Sequence, residues 1–115
     1  MKKILIINSN YYENISNNLL VGAKRKLFLS KYSLSQINVP GIFEIPIAIR
    51  RSVKKFDGFI ALGCVIKGQT PHFDLISSSV FNAITKLSIN FNKPIGNGII
   101  TALNKSQAAA RSKIS

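Results

Sequence analysis

Apolar and polar positions along this chain switch between two periods. Ile4-Leu5-Ile6-Ile7 is a short apolar run bounded by Lys3 and Asn8, and it predicts a buried strand over residues 3–8. From Asn14 to Lys31 the apolar residues Ile15, Leu19, Leu20, Ala23, Leu27 and Phe28 recur at helical spacing. Ser33 to Val39 alternates weakly and stops at Pro40-Gly41, which predicts a second strand and a turn. A helix follows over 45–56, and Asp57-Gly58 breaks it. Phe59 to Ile66 is unbroken apolar sequence around Gly63, the strongest strand signal in the chain. A long helix is predicted over 71–90, a strand weakened by Gly96 and Gly98 over 94–101, and a short helix over 104–113.

Strand and helix therefore alternate four times. This order predicts an α/β domain with a parallel sheet, right-handed crossovers and helices on both faces. Continuous apolar strands fit burial on both sides. In such sheets ligands bind beyond the carboxyl ends of the strands. That rule selects residues 9–13, 40–44 and 67–74 and the surroundings of Thr101.

Composition narrows the class. A chain of 115 residues with 46% hydrophobic and 17% charged positions is one domain, residues 1–115, and not a disordered segment. No apolar run reaches the roughly 18 residues of a membrane span, and the four after Lys3 are too few for a secretory leader. The lone Cys64 forms no internal disulfide. These features predict a cytoplasmic protein. The charge is less ordinary: 16 Lys and Arg against four acids give +12. A basic surface able to bind nucleic acid through Lys24-Arg25-Lys26 and Arg50-Arg51-Lys54-Lys55 is one account. An A/T-rich coding sequence, which favours Lys, Asn and Ile, is the other, and it needs no partner. No recognition motif accompanies the basic clusters.

Residues 67–74, Lys67-Gly68-Gln69-Thr70-Pro71-His72-Phe73-Asp74, carry the most chemistry. Thr70 suits a helix N-cap and Pro71 the first helical position. The N–H groups of Gly68, Gln69 and Thr70 would then face an anion, with Lys67 adding charge. His72, the only histidine, would lie in the positive end of the helix dipole and stay neutral, able to accept a proton. Asp74 either orients that ring or complements the dipole. In Pro40-Gly41-Ile42-Phe43-Glu44-Ile45-Pro46, two prolines bracket a glycine and stiffen the backbone, and Glu44 offers an acceptor for polyol hydroxyls or a first-turn carboxylate. Phe43 is expected in the core. Tyr11 can stack on a planar heterocycle or simply cover its loop. Cys64 reads as a small core residue.

These segments resemble the 6,7-dimethyl-8-ribityllumazine synthase family of riboflavin synthesis. The matching stretches are residues 39–46, residues 61–74, and Gly98-Ile99-Ile100-Thr101 with Gln107-Ala108 and Arg111. The resemblance implies a flavodoxin-like three-layer sandwich with strand order 2-1-3-4. It implies a transferase condensing 5-amino-6-(D-ribitylamino)uracil with 3,4-dihydroxy-2-butanone 4-phosphate, without metal or organic cofactor. Carried onto this chain, Tyr11 stacks on the pyrimidine, Ile42, Phe43 and Glu44 hold the ribityl chain, and Val65 and Ile66 hold the heterocycle through their backbone. Gly68, Gln69, Thr70 and Arg111 bind phosphate, Arg111 from a neighbouring subunit, and Lys67 and Asp74 support them. His72 moves the proton. The resemblance also implies a homo-oligomer, a pentamer or larger shell with sites between subunits, and neither membrane nor specific nucleic-acid partners. Three departures stand out. No N-terminal arm is matched, the strand-four aromatic that closes the pyrimidine site across the interface is Asn97, and the family's long C-terminal helix is not matched. The last departure predicts an exposed apolar patch and leaves a non-catalytic remnant as the alternative.

Overall fold

Each apolar run becomes a strand. The computed structural model describes residues 2–27, 31–67 and 73–113. In chain order they form β1 (Lys2–Ser9), α1 (Glu13–Leu27), β2 (Tyr32–Val39), a 3-10 turn (Ile42–Glu44), α2 (Ile45–Ser52), β3 (Gly58–Ile66), α3 (Phe73–Phe91), β4 (Ile95–Ala102) and α4 (Lys105–Ser112). The four strands make one parallel sheet, as the alternation predicts, in the order β2-β1-β3-β4 that the family resemblance implies.

The pleat sends alternate residues to opposite faces. Leu5, Ile7, Phe59, Ala61, Val65 and Ile99 meet Ile45 and Ile49 of α2 and Val80 and Ile84 of α3 in the larger core. Cys64, Ile66 and Ala102 point the other way, against Tyr12, Ile15 and Ala108. Strands β3 and β4 approach closely where a Cβ on Gly98 would stand 2.8 Å from Leu62 Cδ2 and 3.2 Å from the Ala61 carbonyl. A side chain there would push the end of Leu62 aside and crowd the β3 backbone.

Several ends differ from the sequence reading. Lys31 lies outside α1, beside the start of β2. α2 stops at Ser52, not near Phe56, because its last turn tightens: Val53 N–H donates to Arg50 and Lys55 N–H to Ser52. The Lys93 ammonium then takes the carbonyls of Val53 and Phe56. α3 runs to Phe91 and closes with Asn92 at φ 51°, where Asn92 N–H donates to Ile89 and Lys93 N–H to Ser88. Asparagine tolerates this left-handed position, and the paired bonds satisfy carbonyls the helix leaves open. The predicted start of α3, with Thr70 as cap and Pro71, lies outside the described residues. Lys24, Arg25 and Lys26 fall in the last turn of α1 and Arg50 and Arg51 in that of α2, where cations complement the dipole; Lys54 and Lys55 follow in the turn after α2, and the Arg50 guanidinium lies 4.9 Å over the Phe91 ring.

Candidate active site

Strand order changes direction between β1 and β3, and a crevice opens at that point beyond their carboxyl ends. It is a cavity of about 330 Å³, within the range of small-molecule sites. Ser9, Tyr11 and Tyr12 line it from the end of β1, Gly41 to Glu44 from the turn after β2, and Cys64 and Val65 from β3.

The turn is shaped by its own carboxylate. Glu44 Oε2 accepts the Gly41 N–H at 3.1 Å while the Glu44 N–H donates to the Gly41 carbonyl at 3.3 Å, which folds the carboxylate back over the start of the 3-10 turn. A carboxylate has further acceptor sites, so this bond leaves Glu44 able to take hydroxyls. Ile42 is buried, whereas Phe43 is 63% exposed. Phe43 is thus not a core residue, contrary to the sequence reading: the turn directs Ile42 inward and its neighbour out.

Close backbone approach brings the walls together. A Cβ on Gly63 would stand 2.9 Å from Ile42 Cγ2 and 3.0 Å from Ser9 Cβ. Only a glycine lets both side chains rest on β3. On the opposite wall Tyr11 and Tyr12 meet edge to face, centroids 4.8 Å apart. Tyr11 is 65% exposed, placing a free aromatic face beside the cavity. Burial raises the Tyr12 phenol above its ordinary pKa, with Tyr11 and Cys64 adding to the effect. Burial pushes the Cys64 thiol up to about 11, so it stays protonated at neutral pH and is no nucleophile.

A second cavity, about 270 Å³, lies at the end of β4 between Phe73, Thr101, Gln107 and Arg111. The local sequence builds it. Asn104 caps α4 by accepting the Gln107 N–H at 2.9 Å, while Gln107 Oε1 accepts the Leu103 N–H at 2.9 Å. One turn later the Arg111 guanidinium donates to the Thr101 carbonyl. A planar cation is thereby fixed at the carboxyl edge of the sheet.

Of the residues singled out from sequence, one cavity gathers Tyr11, Ile42, Phe43, Glu44 and Val65. Ile66 is buried beside them in β3. Lys67 is exposed, its N–H donating to the Ala102 carbonyl at 2.8 Å. Asp74 is exposed in the first turn of α3. Arg111 belongs to the second cavity. Asn97 lies mid-strand in β4, paired with Ala61, and its Oδ1 accepts the Ile99 N–H at 3.0 Å; it lines neither cavity. Gly68, Gln69, Thr70 and His72 lie outside the described residues. Ser9 and Tyr12 line the cavity too; both fall in the segment 9–13 that the sequence selects, where neither was given a role of its own. Ser9 could have been found as the polar residue ending an apolar strand at its carboxyl edge. A further groove, about 410 Å³, runs between α1 and α4 over Leu19, Leu62 and Gly98, with Arg25, Lys26, Arg111 and Lys113 among its lining.

Known proteins share this arrangement of sequence. The family model for 6,7-dimethyl-8-ribityllumazine synthase matches residues 1–115. The protein of that name from Bartonella bacilliformis is 42% identical over 114 residues, covering 96% of this chain and 75% of its own length. That from Agrobacterium fabrum is 40% identical over 115 residues, with 94% and 78% covered. That from Nitrobacter hamburgensis is 39% identical over 120 residues, with 98% and 74% covered. A strand order, a crevice and a match along the whole chain lead to one conclusion: the chain belongs to the 6,7-dimethyl-8-ribityllumazine synthase family.

Proposed function

We propose that this chain makes 6,7-dimethyl-8-ribityllumazine from 5-amino-6-(D-ribitylamino)uracil and 3,4-dihydroxy-2-butanone 4-phosphate, in the crevice between β1 and β3. The observation that carries the reading is the convergence of Tyr11 and the Ile42–Glu44 turn on one cavity. An exposed aromatic ring suits a planar pyrimidine. A stiff turn with a carboxylate suits a chain of hydroxyls. The backbone of Val65 and Ile66 offers polar groups to the heterocycle.

The chemistry asks for positioning and proton transfer. The 5-amine attacks the butanone carbonyl, water leaves to give an imine, phosphate is eliminated, and ring closure expels a second water. Every step moves protons between nitrogen, carbon and oxygen, so a neutral imidazole is the suited group. His72 has that role in this reading, with Asp74 close in sequence. Gly68, Gln69 and Thr70 cradle the leaving phosphate, and Lys67 and Arg111 supply its countercharge.

The site is shared between copies of the chain. Phe43 at 63%, Ile47 at 54% and Leu75 at 66% exposure are large apolar side chains left open, and the first two line one groove between α2 and α3. A ring of subunits, a pentamer alone or within a larger shell, covers them and turns Asn97 and Arg111 toward the neighbour's substrate. The protein works in the cytoplasm in this reading. The test is turnover of the His72→Ala variant, expected to fall by about 10²- to 10⁴-fold while both substrates still bind. Unchanged turnover would remove His72 from the mechanism.

A further inference from the structure

Ser9 ends β1, is 1% exposed, and sits on the sheet face that otherwise carries Leu5 and Ile7. Its carbonyl accepts the Ser16 hydroxyl. Its own hydroxyl has no hydrogen-bond partner among the described residues. A hydroxyl can donate one bond and accept two, and burying it unpaired is a cost that alanine would avoid. The side chain contributes packing against Gly63 through its Cβ, which alanine would also provide. Nothing in the described structure uses the oxygen.

Ser9 lines the same cavity as Ile42 and Glu44. Asn8 Oδ1 and Ser77 Oγ are likewise buried and unpaired, but neither residue lines this cavity. We infer that Ser9 is a further specificity-determining residue, whose hydroxyl hydrogen-bonds the ribityl chain and selects polyol-bearing pyrimidines over bare ones. The inference rests on the function proposed above, which puts that chain at the Ile42–Glu44 turn. A polyol hydroxyl both donates and accepts, so it satisfies Ser9 in either sense.

The test compares two unreactive ligands by calorimetric titration. One is 6-(D-ribitylamino)uracil, which lacks the attacking 5-amine. The other is 6-(methylamino)uracil, which lacks the polyol. In Ser9→Ala the ribityl ligand should bind about 3- to 10-fold more weakly, the loss of one hydrogen bond to a neutral partner. The bare pyrimidine should bind as it does to the parent chain. The thermal midpoint should be equal or higher, because an unpaired buried hydroxyl is gone. Equal loss for both ligands, or a lowered midpoint with no change in ligand preference, would assign Ser9 to structure and overturn the inference. A parent chain that prefers the ribityl ligand and a variant that prefers it as strongly would remove Ser9 alone. A parent that binds neither ligand would overturn the proposed function and this inference with it.

Discussion

Ile42 rests directly on Gly63: a methyl group added to that glycine would come within 2.9 Å of Ile42 Cγ2. The contact joins the turn after β2 to the middle of β3 and so sets the width of the crevice. Ile42 is β-branched and buried, with little freedom to turn aside.

Gly63→Ala should therefore lower stability by about 1–3 kcal/mol, the usual cost of overpacking. A shift of the urea midpoint at unchanged slope would show it. The displaced Ile42 should also weaken binding of the ribityl substrate. A variant as stable as the parent would mean that the turn moves freely over β3.

Cys64 gives a prediction about pH. Burial raises its thiol from the ordinary 9.0 to about 11, so the folded state holds the proton more tightly than the unfolded chain. Stability from this group is complete below pH 9 and is lost as pH rises toward 11. Cys64→Ala should flatten that part of the stability curve, measured as the difference between parent and variant midpoints from pH 8 to about 11. The variant should also keep its turnover, since a protonated, buried thiol takes no part in the chemistry. A large loss of turnover would contradict this.

Arg111 gives a prediction about anions. A guanidinium held beside Thr101 can grip two phosphate oxygens. Inorganic phosphate should raise the thermal midpoint of the parent more than chloride does at equal ionic strength. Arg111→Ala should lose most of that difference. An undiminished response would locate the anion on the basic turns of α1 and α2 instead.

The fold was legible because double-sided burial writes itself as unbroken apolar runs, and Phe59–Ile66 left no competing reading. Helix ends were less legible where tertiary contacts decide them. Nothing near Phe56 announces that the ammonium of Lys93, far along the chain, will take its carbonyl. In the site, Tyr11, Ile42, Glu44 and Val65 were legible from position at strand ends and from the family's motifs. Phe43 was misread as core because an apolar residue between apolar neighbours gives no sign of a 3-10 turn that directs it outward. Ser9 fell within the selected segment 9–13 but received no role, because a serine bounding a strand reads as punctuation; only its burial and its unpaired hydroxyl distinguish it.

Everything proposed for the crevice depends on this chain turning its two substrates into a lumazine. Purified protein mixed with 5-amino-6-(D-ribitylamino)uracil and 3,4-dihydroxy-2-butanone 4-phosphate tests it most directly, with lumazine fluorescence and released phosphate followed together. Fluorescence should grow in proportion to protein, well above the rate in buffer, with one phosphate released for each lumazine formed. Fluorescence that grows no faster than in buffer, whatever the amount of protein, would contradict it.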